Sequence, residues 1–271
     1  MACRDLLMRV SISDVMRPCS IFVSSRDLVT RARAVMRSTG FRTLPVIDRG
    51  RLEGIITTRH IMRITSTRSN IPVAGLMFSP QLVVTPAGDL VKLARNMVEL
   101  QISNVPVVQS YSDKTVVGLI RLDDILKKIA GAMKSRPTVG GVMTKEVVTC
   151  KQDDEVSRVW DIMERERFSG MPVTRYDKQN HRLEVIGMVT RSDIIRSGEI
   201  RLAEESAKGG RPPTKLRSLM RTPAITISSK APLAEAIELM LRRNVGRLPV
   251  VDEGNLVGII SRSDAIRVAC G

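Results

Sequence analysis

Histidine and aromatic residues are what this chain has least of. Among 271 residues there are two histidines, His60 and His181, and aromatics make up 3%. A histidine-based metal cluster or a nucleophile–histidine catalytic site has almost nothing to be built from. Four cysteines, Cys3, Cys19, Cys150 and Cys270, lie far apart and never form a C-x-x-C pair. They read as reduced thiols rather than as a disulfide framework or a zinc site. No apolar run approaches the roughly 20 residues that a membrane-spanning helix needs. The opening "MACRDLLMRVSISDV" carries charges inside any apolar stretch and so lacks a secretory signal. These absences predict a cytoplasmic protein with no membrane partner, no metal and no catalytic cofactor.

What is present is an ordinary globular composition, 43% hydrophobic and 26% charged, with length enough for two domains. Charge is the one extreme: 43 Lys and Arg against 28 Asp and Glu give a net +15. Residues 1–135 hold 20 basic and 10 acidic residues, and the remainder 23 and 18, so the excess is +10 in the first part and +5 in the second.

A fourfold repeat emerges from spacings alone. Each copy opens on an apolar residue and a methionine: Val15-Met16, Leu76-Met77, Val142-Met143 and Leu219-Met220. Twenty residues on lies Met36, Met97, Met163 or Met240, and nine further on Pro45, Pro106, Pro172 or Pro249. From the proline to a glycine (Gly54, Gly118, Gly187, Gly258) the interval is 9, 12, 15 or 9, which places the insertions in one loop. Six residues beyond that glycine stand His60, Asp124, Asp193 and Asp264.

Each unit also reads physically. A short β-rich run ("SIFVS", "QLVVT", "EVVTC", "AITIS") precedes a stretch such as "LVTRARAVM" or "LAEAIELM" with apolar residues at helical spacing. "TLPVID" and "RLPVVD" are strands begun near a proline, and "RLEGIIT" and "NLVGIIS" are their hairpin partners. A last helix starts at a Thr/Ser-x-x-Asp. The unit is β-α-β-β-α, about 55 residues, too small to bury its sheet face alone, so copies should pair. "AGAMKSRPTVGG" (Ala130 to Gly141) is the predicted linker, and "EESAKGGRPPTKLR" (Glu204 to Arg217) a second, basic connector.

With "LPVVD…LVGIISRSD" (Leu248 to Asp264), its three relatives and the fixed Met–Met–Pro spacings, the chain resembles the CBS-domain family over nearly its whole length. The resemblance implies an α/β (α+β) fold of four CBS repeats, copies about 12–66, 73–129, 139–197 and 216–270. They would pair into two pseudo-twofold Bateman modules, residues 1–134 and 135–271. In that family such clefts bind AMP, ADP, ATP or, less expected here, S-adenosylmethionine, with the hydroxyl and the aspartate as ligands. Similar proteins join into disc-like assemblies, and a homodimer is expected.

At the strand-to-helix corner the first helical N–H groups lack partners and carry the positive end of the helix dipole, a seat for phosphate. A hydroxyl there adds a donor, and a carboxylate three residues on can accept both hydrogen bonds of a ribose diol. The same four letters are equally a capping box, which stabilises a helix start with no ligand at all. Copies three and four keep the pair, Thr190 with Asp193 and Ser261 with Asp264. Arg191 and Arg262 follow the hydroxyl and could reach a phosphate. Arg247 stands at the mouth of the cleft, with Gly170 at the matching position. Val148 and Met171 in copy three, and Ile225 and Leu248 in copy four, are base-slot candidates from the family pattern, although apolar strand residues also suit the core. Copy two keeps Asp124 but has Arg121 where the hydroxyl belongs. Copy one keeps Thr57 but offers His60, read as a helix-start histidine rather than a metal ligand or base. Both are degenerate sites.

The arginines of copy one, Arg26, Arg31, Arg33, Arg37 and Arg42, suggest either a solvated surface or a polyanion partner such as DNA, RNA or a ribosome. With so few aromatics, such binding would be salt-sensitive and weakly sequence-specific. Two functions follow as expectations. One is a non-catalytic sensor binding an adenine nucleotide in residues 136–271, with residues 1–135 binding weakly or not at all. The alternative is a nucleic-acid or ribosome binder with the repeats as scaffold. An enzyme is not expected, and Asp153-Asp154 reads as a helix start.

Overall fold

Four near-copies of one hairpin-and-helix unit make up the computed structural model, which describes residues 7–62, 71–132, 137–197 and 213–270. The chain divides into two compact units, one of residues 1–133 with 266–271 and one of residues 134–265. The second connector lies largely outside the described residues.

Each copy contributes a helix, a two-stranded antiparallel hairpin and a closing helix. Copy one has α1 (Val29–Thr39), β1 (Thr43–Asp48), β2 (Arg51–Thr57) and α2 (Thr58–Met62). Copy two has α3 (Leu90–Glu99), β3 (Asn104–Val108), β4 (Val116–Arg121) and α4 (Leu122–Ala132). Copy three has α5 (Val156–Arg165), β5 (Gly170–Asp177), β6 (Arg182–Thr190) and α6 (Arg191–Ser197). Copy four has α7 (Leu233–Arg242), β7 (Arg247–Asp252), β8 (Asn255–Ser261) and α8 (Arg262–Cys270). The variable proline-to-glycine interval is the hairpin loop, as its spacing implied.

The β-rich run before the first helix does not become a strand of its own. It is reduced to one parallel bridge per copy, Val23 to Val46, Val84 to Val107, Cys150 to Val173 and Ile227 to Val250. The receiving valine follows the proline in each case, and the hairpin register slips immediately after it. A slip of this kind bends the strand and limits how far a third strand can follow it. Each opening methionine is preceded by a single 3-10 turn that the sequence patterns do not signal: Ile12–Asp14, Val73–Gly75, Val139–Gly141 and Leu216–Ser218.

Pairing completes the cores. The core of copy one gathers Val29, Ala32, Met36, Leu44, Val46 and Ile56, and also Val73, which belongs to copy two. That of copy three includes Leu216 of copy four. A unit of this size cannot remove enough apolar surface from water by itself, so its neighbour supplies the missing side chain.

The phrase's glycine explains how the copies join. The residue after each opening methionine exchanges two backbone hydrogen bonds with the residue after the opposite copy's glycine. Arg17 pairs in this way with Leu119 (2.9 and 2.8 Å) and Phe78 with Ile55 (3.0 and 2.9 Å). Thr144 pairs with Ile259 (3.0 and 2.9 Å) and Arg221 with Met188 (2.8 and 2.9 Å). A Cβ on the glycine would meet the incoming carbonyl: Phe78 O at 2.9 Å from Gly54, Arg17 O at 3.0 Å from Gly118, Arg221 O at 2.8 Å from Gly187 and Thr144 O at 3.0 Å from Gly258. The methionine sulfur lies against the same spot, within 3.4 Å in all four copies. Glycine is therefore required for close approach of backbone.

Gly187→Ala is expected to destabilise the protein by about 1–3 kcal/mol, the usual cost of forcing an extra methyl into a packed contact. Urea unfolding of the two proteins checks it. Cys150 is buried under Pro172, whose carbonyl accepts from its Sγ (3.4 Å). Burial, assisted by the charge of Asp154, pushes its thiol pKa up to about 12. Because a disulfide reagent attacks the thiolate, Cys150 should stay unmodified at pH 8 in the native protein and react on unfolding.

Candidate functional site

The four strand-to-helix corners share one construction and differ in chemistry. At each, the first N–H of the closing helix is taken by a carbonyl three residues before the proline. Thr58 N–H donates to Arg42 O (2.8 Å), Leu122 to Ser103 (2.9 Å), Arg191 to Ser169 (3.1 Å) and Arg262 to Gly246 (3.1 Å). The phosphate seat expected from unpartnered helix N–H groups is thus narrower than the sequence suggested.

In copy three the hydroxyl and carboxylate converge as a reciprocal capping box. The Thr190 hydroxyl and its N–H (3.0 Å) both donate to Asp193 Oδ2, while Asp193 N–H donates back to Thr190 Oγ1 (3.2 Å). The other oxygen, Oδ1, accepts from Arg221 Nε at 3.0 Å, an arginine contributed by copy four. Asp193 is buried, and Arg221 stays 54% exposed. Both carboxylate oxygens therefore have protein partners, and a ribose diol cannot take Asp193 bidentately without rearrangement.

Copy four repeats the box. The N–H (2.8 Å) and hydroxyl (2.7 Å) of Ser261 donate to Asp264 Oδ2, and Asp264 N–H donates to Ser261 Oγ (3.4 Å). Asp264 is only partly buried. The residue that copy three sends to the equivalent place is Thr144, which is exposed and carries no charge.

The N-terminal corners are built on the same plan with other side chains. In copy two Asp124 Oδ1 meets Arg17 of copy one at 2.6 Å. Arg121, in place of the hydroxyl, pairs with Asp123 (3.3 Å) and lies over the Phe41 ring. With no hydroxyl at the corner, no donor among the described residues reaches Asp124 Oδ2, although the side chain is 5% exposed. In copy one Thr57 Oγ1 is 2.6 Å from His60 Nδ1, and the histidine ring packs on Phe78 of copy two at 4.4 Å. His60 replaces the carboxylate as cap partner.

Arg191 and Arg262, expected to reach a phosphate, turn the other way. Arg191 bonds Glu164 (3.1 Å) and the Met163 carbonyl, and Arg262 reaches Met240 O at 3.4 Å. Arg247 crosses to copy three, donating to Gly170 O (2.6 Å) and to the Ser169 hydroxyl. Met171 and Leu248 are fully buried, in strand segments buried on both faces, and belong to the core rather than to an open slot. Val148 is exposed (45%) and Ile225 half-buried. The cations that do face the carboxylates, Arg17 and Arg221, were missed. The signal was their place directly after the opening methionine, but nothing local shows that this position crosses to the other copy.

Among the copy-one arginines, Arg26, Arg31, Arg37 and Arg42 are exposed and Arg33 is half-buried. At about 100° per residue, Arg33 and Arg37 share one side of α1 while Arg31 points away from both. Arg31 also pairs with Asp27 at 3.4 Å. The three on α1 do not form one face. Among the described residues there is no group of three or more His, Cys, Asp or Glu that could hold a metal, and no helix long and apolar enough to cross a membrane.

A family model for the CBS domain matches residues 12–66, 73–131, 139–199 and 216–271. The chain belongs to the CBS-domain family. Its four CBS repeats are 28% identical to uncharacterized protein MJ1404 of Methanocaldococcus jannaschii, over 97% of this chain and 62% of that protein. The chain thus spans about three-fifths of that relative's length. Protein MJ1225 of the same organism is 22% identical over 88% of this chain and 91% of its own. The crystal structure of MJ1225 superposes with a TM-score of 0.77, covering 95% of this chain and 99% of that one at 20% identity. A conserved protein from Pyrococcus horikoshii superposes with a TM-score of 0.65, covering 96% and 100% at 20% identity. These likenesses establish a CBS fold with mixed helices and small antiparallel sheets.

Because Ser261 caps α8 through two reciprocal hydrogen bonds, Ser261→Ala should destabilise the ligand-free protein by about 1 kcal/mol. Thermal unfolding without added nucleotide measures this, and separates the capping role of the hydroxyl from any role in binding.

Proposed function

We propose that this CBS protein is a non-catalytic regulator that binds an adenine nucleotide (AMP, ADP or ATP) in the clefts between its repeats, mainly in the C-terminal pair. The observation that carries the reading is the copy-four corner. There Ser261 and Asp264 are held together at a partly exposed position, and the exposed, uncharged Thr144 of the opposite copy bridges the strand two residues before Ser261. At that corner a carboxylate can accept a ribose hydroxyl. Membership of the CBS family supports this choice of ligand. The N-terminal corners fit it less well, since His60 offers no carboxylate and Asp124 has no hydroxyl beside it. Arg31 points away from Arg33 and Arg37 on α1, so these three give a polyanion partner no single helical face.

Isothermal calorimetry on the full chain tests the reading. AMP should bind the native protein, and Asp264→Asn should weaken binding at one site about tenfold or more, the cost of losing a charged acceptor. Failure of AMP, ADP and ATP all to bind the native chain rejects the proposal.

A further inference from the structure

Arg221, not Arg191, is the cation that faces the carboxylate of copy three. Its backbone is fixed by the two hydrogen bonds to Met188, and its Nε by Asp193 Oδ1 at 3.0 Å. The ion pair uses Nε alone among the guanidinium nitrogens, and the side chain remains 54% exposed. The two terminal nitrogens carry four further donors in a planar fork that suits a phosphate's oxygens. Holding the fork by its Nε on a buried carboxylate lowers the entropy lost when an anion binds. At the equivalent place in copy four stands Thr144.

We infer that Arg221 is the specificity-determining residue of the Asp193 cleft. The Asp193 cleft requires an anionic, phosphorylated ligand, with one hydroxyl on the remaining lone pair of Oδ1 and the phosphate on the Arg221 fork. This rests on the nucleotide-binding reading above and adds a charge selection to it. Arg17 on Asp124 repeats the pairing in the N-terminal unit, but end-on through Nη2 at 2.6 Å, which leaves its fork less well presented.

Calorimetry with adenosine and AMP on full-length Asp264→Asn isolates the copy-three cleft. AMP should bind it about tenfold or more tightly than adenosine, the strength of a charge-assisted bidentate contact. Adding Arg221→Thr should bring the ratio near one by weakening AMP alone. The converse change, Thr144→Arg with Asp193→Asn, should create an AMP preference in the copy-four cleft, a gain that misfolding cannot imitate. An unchanged ratio in Arg221→Thr overturns the inference. So does tighter binding of both ligands, which would make Arg221 a competitor for Asp193. Binding that vanishes entirely in Asp264→Asn while the native chain binds also overturns it, and leaves the sensor reading standing. A native chain that binds neither ligand removes both.

Discussion

Two backbone hydrogen bonds, exchanged between the residue after an opening methionine and the strand of the opposite copy, organise everything else in this protein. They bring one chain segment so close to the facing strand that no Cβ fits beneath the incoming carbonyl, at 2.8–3.0 Å in all four copies. A methionine closes the contact from the side, its unbranched thioether adapting to the gap. Because the bridge is made by backbone, it leaves the side chain at its centre free to vary. That side chain is aimed at the strand-to-helix corner of the other copy.

Chemical difference between the four corners is accordingly concentrated in two places. One is the corner's own pair, Thr57 with His60, Arg121 with Asp124, Thr190 with Asp193 and Ser261 with Asp264. The other is the crossing residue, Phe78, Arg17, Arg221 or Thr144. An aromatic ring covers the histidine, an arginine neutralises each of two aspartates, and a threonine holds the crossing position of the last. Burying a carboxylate without a counterion is costly, so Asp124 and Asp193 sit deep only with their arginines. Asp264, whose copy is bridged by Thr144, is only partly buried.

The Thr/Ser-x-x-Asp phrase serves helix capping and ligand chemistry with the same atoms. One carboxylate oxygen is occupied by the cap in both intact copies, and the first helical N–H is occupied by the carbonyl of the residue just before the hairpin's first strand. What a ligand meets beyond the cap depends on what the opposite copy supplies, as Arg221 does on Asp193 Oδ1. Function at these corners is therefore a property of the pair.

Much of this was legible in the sequence. The strands Thr43–Asp48, Arg51–Thr57, Arg247–Asp252 and Asn255–Ser261 coincide with "TLPVID", "RLEGIIT", "RLPVVD" and "NLVGIIS", because strand alternation, the proline and the hairpin glycines are local signals. The repeat count and the need for pairing followed from spacing and from the small size of one unit. Only the tertiary structure decided which residues of one copy enter the other. Val73 and Leu216 complete foreign cores, Arg221 rather than Arg191 faces Asp193, and Met171 and Leu248 turn into the core. The reason is physical: local patterns report how a segment folds on itself, whereas a contact between residues 28 positions apart or more depends on how two finished units dock.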